Sequence, residues 1–307
     1  MPIPGEHGAW VILYAPLLAG LGMGRSFPTI PALLLILAVT GLYLARHAAA
    51  LILRRRGDNS TATWLAVYLT GGVVGGVLLL SSYHDFALIP IAGIAGGLFL
   101  AHSTLVASSQ KTGLQPKRTE ELNHSKTEGS LRRLFAASTA ESTRRIQSLV
   151  PKGRRADRSE WGEVIGVAGL VLTGPAGCVV ARGSMDERAW MLWIACTLYY
   201  SSAIFFVKML LAAVRGKQEM TRASRLRVGR PNLVYHLGLG VAVSAAAFLI
   251  GGRSGALVAA GYIPILLRGI RGTFQLSHHP PKLKRVGIAE SIYAAWFTAC
   301  LVAASRW

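Results

Sequence analysis

Residues 189–214 read Ala189-Trp-Met-Leu-Trp-Ile-Ala-Cys-Thr-Leu-Tyr-Tyr-Ser-Ser-Ala-Ile-Phe-Phe-Val-Lys-Met-Leu-Leu-Ala-Ala-Val214, with Lys208 the single charge. A helix in water needs a polar face, and this one has almost none. About 20 mostly apolar residues carry a helix across a bilayer. The stretch is long enough and apolar enough to do so.

Runs of the same kind fill the chain on both sides. Before it come Ala9–Gly24, Ile30–Leu53, Thr61–Ser81, Phe86–Ala107 and Val164–Ala181; after it come Leu233–Gly251, Gly255–Ile270 and Ile288–Ala304. The expected fold is an all-α membrane protein of about nine transmembrane helices. Only 15% of the residues are charged, against roughly 25% in a soluble domain. Lipid in place of water accounts for the shortage.

The chain carries a net charge of +19. Its distribution argues against nucleic acid as the partner. Loops after spans two, four, six and eight hold Arg54-Arg55-Arg56, a long basic segment, Arg215 to Arg230, and Arg271 to Arg285. The alternate loops hold little: Arg25, Asp85, then Arg182 with Asp186, Glu187 and Arg188, then Arg253. Basic loops stay in the cytoplasm, which places the N-terminus inside and the C-terminus outside, in a plasma membrane whose anionic lipids are the natural partner of the charge. Tyr83, Trp190 and Trp307 fall near the outer interface. The first run lacks a basic leader and a cleavage site, so it is expected to be retained as a span.

Three segments follow from this pattern: spans one to four over 1–107, a basic cytoplasmic segment over 108–161, and spans five to nine over 162–307. The middle segment is rich in Lys, Arg, Ser and Thr. Ser125 to Glu128 fits a capping box, and Leu131, Leu134, Phe135, Ile146 and Leu149 form a thin apolar stripe among arginines. An amphipathic helix on the inner leaflet and a disordered linker both fit that composition. A faint repeat pairs Glu6-His7-Gly8 with Glu160-Trp161-Gly162, Arg46 with Lys208, and Ile89-Pro90 with Ile263-Pro264. It suggests two parallel four-helix halves plus one helix, with sites between them.

Ionisable groups inside spans are costly and mark candidate sites. Arg46, His47, Lys208 and Arg268 sit toward the cytoplasmic ends of spans two, six and eight, with Arg271 just beyond. If they converge, they form a basic pocket for a phosphate or carboxylate, which the arginine fork grips with two parallel bonds. Separate snorkelling to the interface is the plainer alternative. Glu163 and Glu290 open spans five and nine at the same face, where they can pair with those cations or simply favour the helix dipole. Glu6 and His7, side by side at the mouth of span one, are the candidates for acid–base chemistry; an ordinary helix start is the alternative. His278-His279 lacks acidic partners at ligand spacing, and no metal site is expected. Cys178, Cys196 and Cys300 lie within apolar runs and read as small buried hydrophobes. His102 and His236 read as packing histidines. Gly71-Gly72, Gly75-Gly76 and Gly96-Gly97 read as close helix contacts. No phosphate-binding loop, dinucleotide fingerprint or zinc-protease motif occurs, and the sequence names no cofactor.

Glu6-His7-Gly8-Ala9-Trp10, Leu44-Ala45-Arg46-His47 and Val286-Gly287-Ile288-Ala289-Glu290 together resemble the YwiC-like family of bacterial membrane proteins. Span number and orientation are more distantly similar to the UbiA-type prenyltransferases. That resemblance implies a Mg²⁺–diphosphate site on aspartate-rich motifs after spans two and six. Only Asp58 and Glu219 stand there as acids, amid many cations, so the usual Mg²⁺ ligands are missing. Three functions fit: a UbiA-like protein of altered chemistry that binds an anionic, lipid-soluble molecule; an accessory or assembly subunit of a membrane complex such as a respiratory one; and a small-molecule transporter.

Overall fold

The computed structural model describes residues 7–24, 28–53, 59–112, 160–215, 221–277 and 283–306. Its elements are helices: α1 (His7–Gly22), α2 (Thr29–Leu53), α3 (Asn59–Ser82), α4 (Leu88–Thr112), α5 (Glu160–Leu170), α6 (Thr173–Arg182), α7 (Glu187–Arg215), α8 (Arg222–Ile250), α9 (Gly252–Phe274) and α10 (Leu283–Ala304). No strand occurs among the described residues. Among the described residues, seven stretches are long and apolar enough to cross a membrane, and shorter apolar helices cover Gly8–Gly22 and Leu88–Ala101. The polytopic helical membrane fold read from the sequence is the fold observed.

The outer surface confirms its solvent. Phe248, Leu249 and Val241 are 86%, 83% and 72% exposed. Large apolar groups so open to the surroundings suit lipid tails and would be a liability in water. Tyr83 and Trp190 also lie at the surface, as interfacial rings do. Trp307 lies outside the described residues.

Several helix ends differ from the expected spans by a few residues, and two differences change the reading. The fifth span is interrupted: α5 ends at Leu170, and α6 restarts at Thr173 after a turn at Val171-Leu172. Pro175 explains the break, since it lacks an N–H and its ring crowds the carbonyl four residues back. Thr173 is buried at the restart and donates its hydroxyl to the Leu13 carbonyl at 2.7 Å. The seventh span starts earlier than expected. Residues 222–230 belong to α8, capped by Thr221, whose side-chain oxygen accepts from the Ser224 N–H at 3.3 Å. That part of the basic loop is therefore a helical extension of the span. The proposed amphipathic stripe of the middle segment lies outside the described residues.

Small residues set the packing, as they do where lipid offers no hydrophobic drive for helix association. α1 lies against α6 and α10, and so joins helices from the C-terminal part of the chain. A Cβ on Gly20 would strike the Gly174 carbonyl oxygen, and one on Gly177 would come within 2.6 Å of the Leu17 carbonyl. α2 and α3 form a close hairpin through Gly41, Gly72 and Gly75. A Cβ on Gly76, Gly96 or Gly97 would meet nothing within 4 Å, and one on Gly71 only the end of Leu37 at 3.7 Å. The reading of every Gly pair as a helix contact thus holds at Gly72 and Gly75 and fails at Gly76, Gly96 and Gly97. α7 to α10 enclose an aromatic core in which Tyr199 stacks on Phe297 with centroids 3.9 Å apart, and Tyr262 meets Phe297 edge-on at 5.1 Å. The three cysteines are free and buried, as expected.

Candidate functional site

α7, α9 and α10 bring the C-terminal candidate residues together. Arg268, near the end of α9, forms an ion pair with Glu290 of α10. The Arg268 guanidinium also donates to the Ser202 hydroxyl at 3.3 Å and lies 4.5 Å from the centroid of the Phe206 ring. Its side chain is only 9% exposed. A charge so deep needs partners, and two helices supply three of them: a hydroxyl and an aromatic face from α7 and a carboxylate from α10.

Lys208, further along α7 than Ser202 and Phe206, pairs with Glu163 of α5 at 3.3 Å. Both partners are partly open, at 26% and 36%. Such a pair contributes at most about 1 kcal/mol. The two glutamates that open spans five and nine therefore serve as partners of Lys208 and Arg268, one of the alternatives the sequence left open.

A cavity of about 390 Å³ opens beside this arrangement. Arg268 and Arg271 line it together with Tyr293, Gln275 and Ser277, while Phe206, Leu210, Leu267 and Leu276 supply an apolar wall. Arg271 is exposed and forms no ion pair with a carboxylate among the described residues. Glu290 offsets the charge of Arg268, so Arg271 leaves the cavity net positive. Close by, Arg225 of the α8 extension donates to the Phe274 carbonyl at 3.3 Å and ties that extension to the end of α9.

The other candidates lie elsewhere. Arg46 sits 5.5 Å from the centroid of the Phe99 ring of α4, and neither it nor His47 lines the cavity. His7 is the first residue of α1, and its side chain, like all of Glu6, lies outside the described residues. His278-His279, Asp58 and Glu219 also lie outside them. No group of three or more His, Cys, Asp or Glu residues gathers as a metal site among the described residues.

His236 is fully buried. Its Nδ1 is 2.8 Å from the Asn232 carbonyl, and its ring packs against the bare backbone of Gly269. Asn232 donates to the Gly269 carbonyl at 2.9 Å and to the Thr273 hydroxyl at 3.0 Å, clasping α8 to α9 directly behind Arg268. Sequence reasoning missed this clasp, as it missed Ser202, Phe206 and Tyr293. A signal existed for Ser202: the polar run Tyr199-Tyr200-Ser201-Ser202 in the middle of an apolar span. None singled out Phe206 or Tyr293 among the many aromatic residues of the spans.

Comparison with known proteins agrees with the resemblance seen in the sequence. A family model described as YwiC-like protein matches residues 3–114. The chain is 25% identical over 209 residues to a Bacillus subtilis (strain 168) protein described as uncharacterized protein YwiC. The alignment covers 68% of this chain and 66% of that relative, just under two thirds of its length. No solved structure matches. The family match covers α1 to α4, so the cavity between α7, α9 and α10 lies beyond it.

Proposed function

We propose, for a chain whose residues 3–114 match the YwiC-like proteins, that it binds an amphiphile with an anionic head in the cavity between α7, α9 and α10. The observation that carries this reading is one cavity lined both by a largely buried Arg268 and an exposed Arg271 and by the apolar side chains of Phe206, Leu210, Leu267 and Leu276. The head, a phosphate or carboxylate, contacts Arg271 and reaches toward Arg268. The tail lies along Phe206, Leu210, Leu267 and Leu276. Ligand pockets of this kind are mostly apolar with a few convergent polar groups.

In this reading the cavity faces the cytoplasm of a plasma-membrane protein with its N-terminus inside. The concentration of arginine and lysine in alternate loops supports that orientation. A UbiA-like scaffold of altered chemistry is the enzymatic version of the same idea: an anionic isoprenoid or lipid would be held by arginines where such enzymes hold it through Mg²⁺. Titration of the purified protein with oleyl phosphate and oleyl alcohol, followed by native mass spectrometry, tests the reading. The phosphate is expected to bind at least about tenfold more tightly, the value of one charge-assisted contact. Equal affinity for the two probes contradicts it.

A further inference from the structure

A second concave surface lies on the opposite side of α10. α1 and α10 run parallel: Thr298 donates to the Ala15 carbonyl at 3.5 Å, and the Val302 side chain sits where a Cβ on Gly22 would be. Between them runs a groove of about 950 Å³, open to the surroundings. Its floor is cut by the small side chains Ala295, Ala299 and Ala303 of α10, and α1 walls it with Tyr14 and Leu18. Arg306 closes the end toward the C-terminus of α10.

We propose that this groove holds one acyl chain of an anionic phospholipid whose phosphate is bound by Arg306. Length supports the assignment. The lining of the groove on α10 begins at Ser291, and from there to the helix end at Ala304 the rise is about 20 Å, enough to cover the half of the roughly 30 Å hydrocarbon core that one acyl chain reaches from its headgroup. Charge supports it too. Arg306 is exposed and, unlike Arg182, Lys208 and Arg268, has no carboxylate partner among the described residues. Its planar fork suits a phosphate. A second copy of the chain docked symmetrically on the groove would bring Arg306 against Arg306, so the same charge that attracts a lipid opposes a dimer.

The test uses delipidated full-length protein carrying Arg271→Gln, which removes the exposed cation of the cavity between α7, α9 and α10 and serves as the reference in every arm. It is titrated with phosphatidylglycerol or phosphatidylcholine of identical chains, with the first bound lipid counted by native mass spectrometry. The reference is expected to bind the first phosphatidylglycerol about tenfold more tightly than phosphatidylcholine. Adding Arg306→Gln should bring the two within about twofold, and adding Arg306→Lys should keep most of the preference because the cation remains. Adding Ala299→Phe should fill the groove and abolish the preferred phosphatidylglycerol site, with helicity by circular dichroism unchanged. No headgroup preference in the reference overturns the proposal. So does a preference that survives Arg306→Gln in that reference, or a dimer that Ala299→Phe dissociates. Arg306 lies at the exposed end of α10, so its variants test the proposal even if Ala299→Phe fails to fold.

Discussion

Arg268 of α9, which lines the cavity, is ion-paired with Glu290 of α10, so a largely buried cation is held there without being left uncompensated. Removing one partner of such a pair is costlier than removing both, because the remaining charge keeps its desolvation cost. Glu290→Gln alone should therefore destabilise the protein by about 3 kcal/mol. The double variant Arg268→Met/Glu290→Leu should recover most of that loss while anion binding in the cavity weakens. Thermal unfolding in detergent, run for the two variants side by side, checks the expectation. A double variant no more stable than Glu290→Gln would count against it.

Lys208 and Glu163 form the contrasting case. Both side chains are partly open, so Lys208→Ala should cost no more than about 1 kcal/mol. The same unfolding measurement decides, and a loss as large as that of Glu290→Gln would mean that this pair is also structural.

The clasp behind the site is testable separately. Asn232→Ala removes two buried hydrogen bonds, to the Gly269 carbonyl and the Thr273 hydroxyl, and leaves only the Thr273 hydroxyl donating to that carbonyl from its side chain. A cost of about 1–3 kcal/mol is expected. Tyr14→Phe, which removes a 2.6 Å contact between the Tyr14 and Thr40 hydroxyls, should cost about 1 kcal/mol.

Glycines divide in the same way. Gly20→Ala forces α1 and α6 apart because the new Cβ meets the Gly174 carbonyl, and it should reduce stability or yield. Gly96→Ala meets nothing within 4 Å. It should be neutral or stabilising by up to about 1 kcal/mol, the helix cost of glycine. Expression and melting temperature of the two variants provide the comparison.

The sequence showed the fold more clearly than the site, and the reason is physical. Crossing a bilayer imposes a length and a composition on each helix separately, so span after span could be read without knowledge of its neighbours. Pro175 and Thr221 moved boundaries, but not the class of structure. A site depends on which helices touch. Arg46 and Lys208 look alike in sequence, each a cation within the last turns of an apolar span, yet one lies over Phe99 and the other pairs with Glu163. Lys208 and Arg268 could be picked out because charge is rare in an apolar span. Phe206 and Tyr293 could not, because aromatic side chains are common there and acquire a role only from the helix they face.

Binding of oleyl phosphate to wild type and to Arg271→Gln is the most direct test of the central claim. Arg271 is exposed, so its replacement should leave the fold intact, as equal melting temperatures would show. The account predicts an approximately tenfold weaker affinity for the variant and an unchanged, weak affinity for oleyl alcohol. Equal affinity of the two proteins for oleyl phosphate would contradict it.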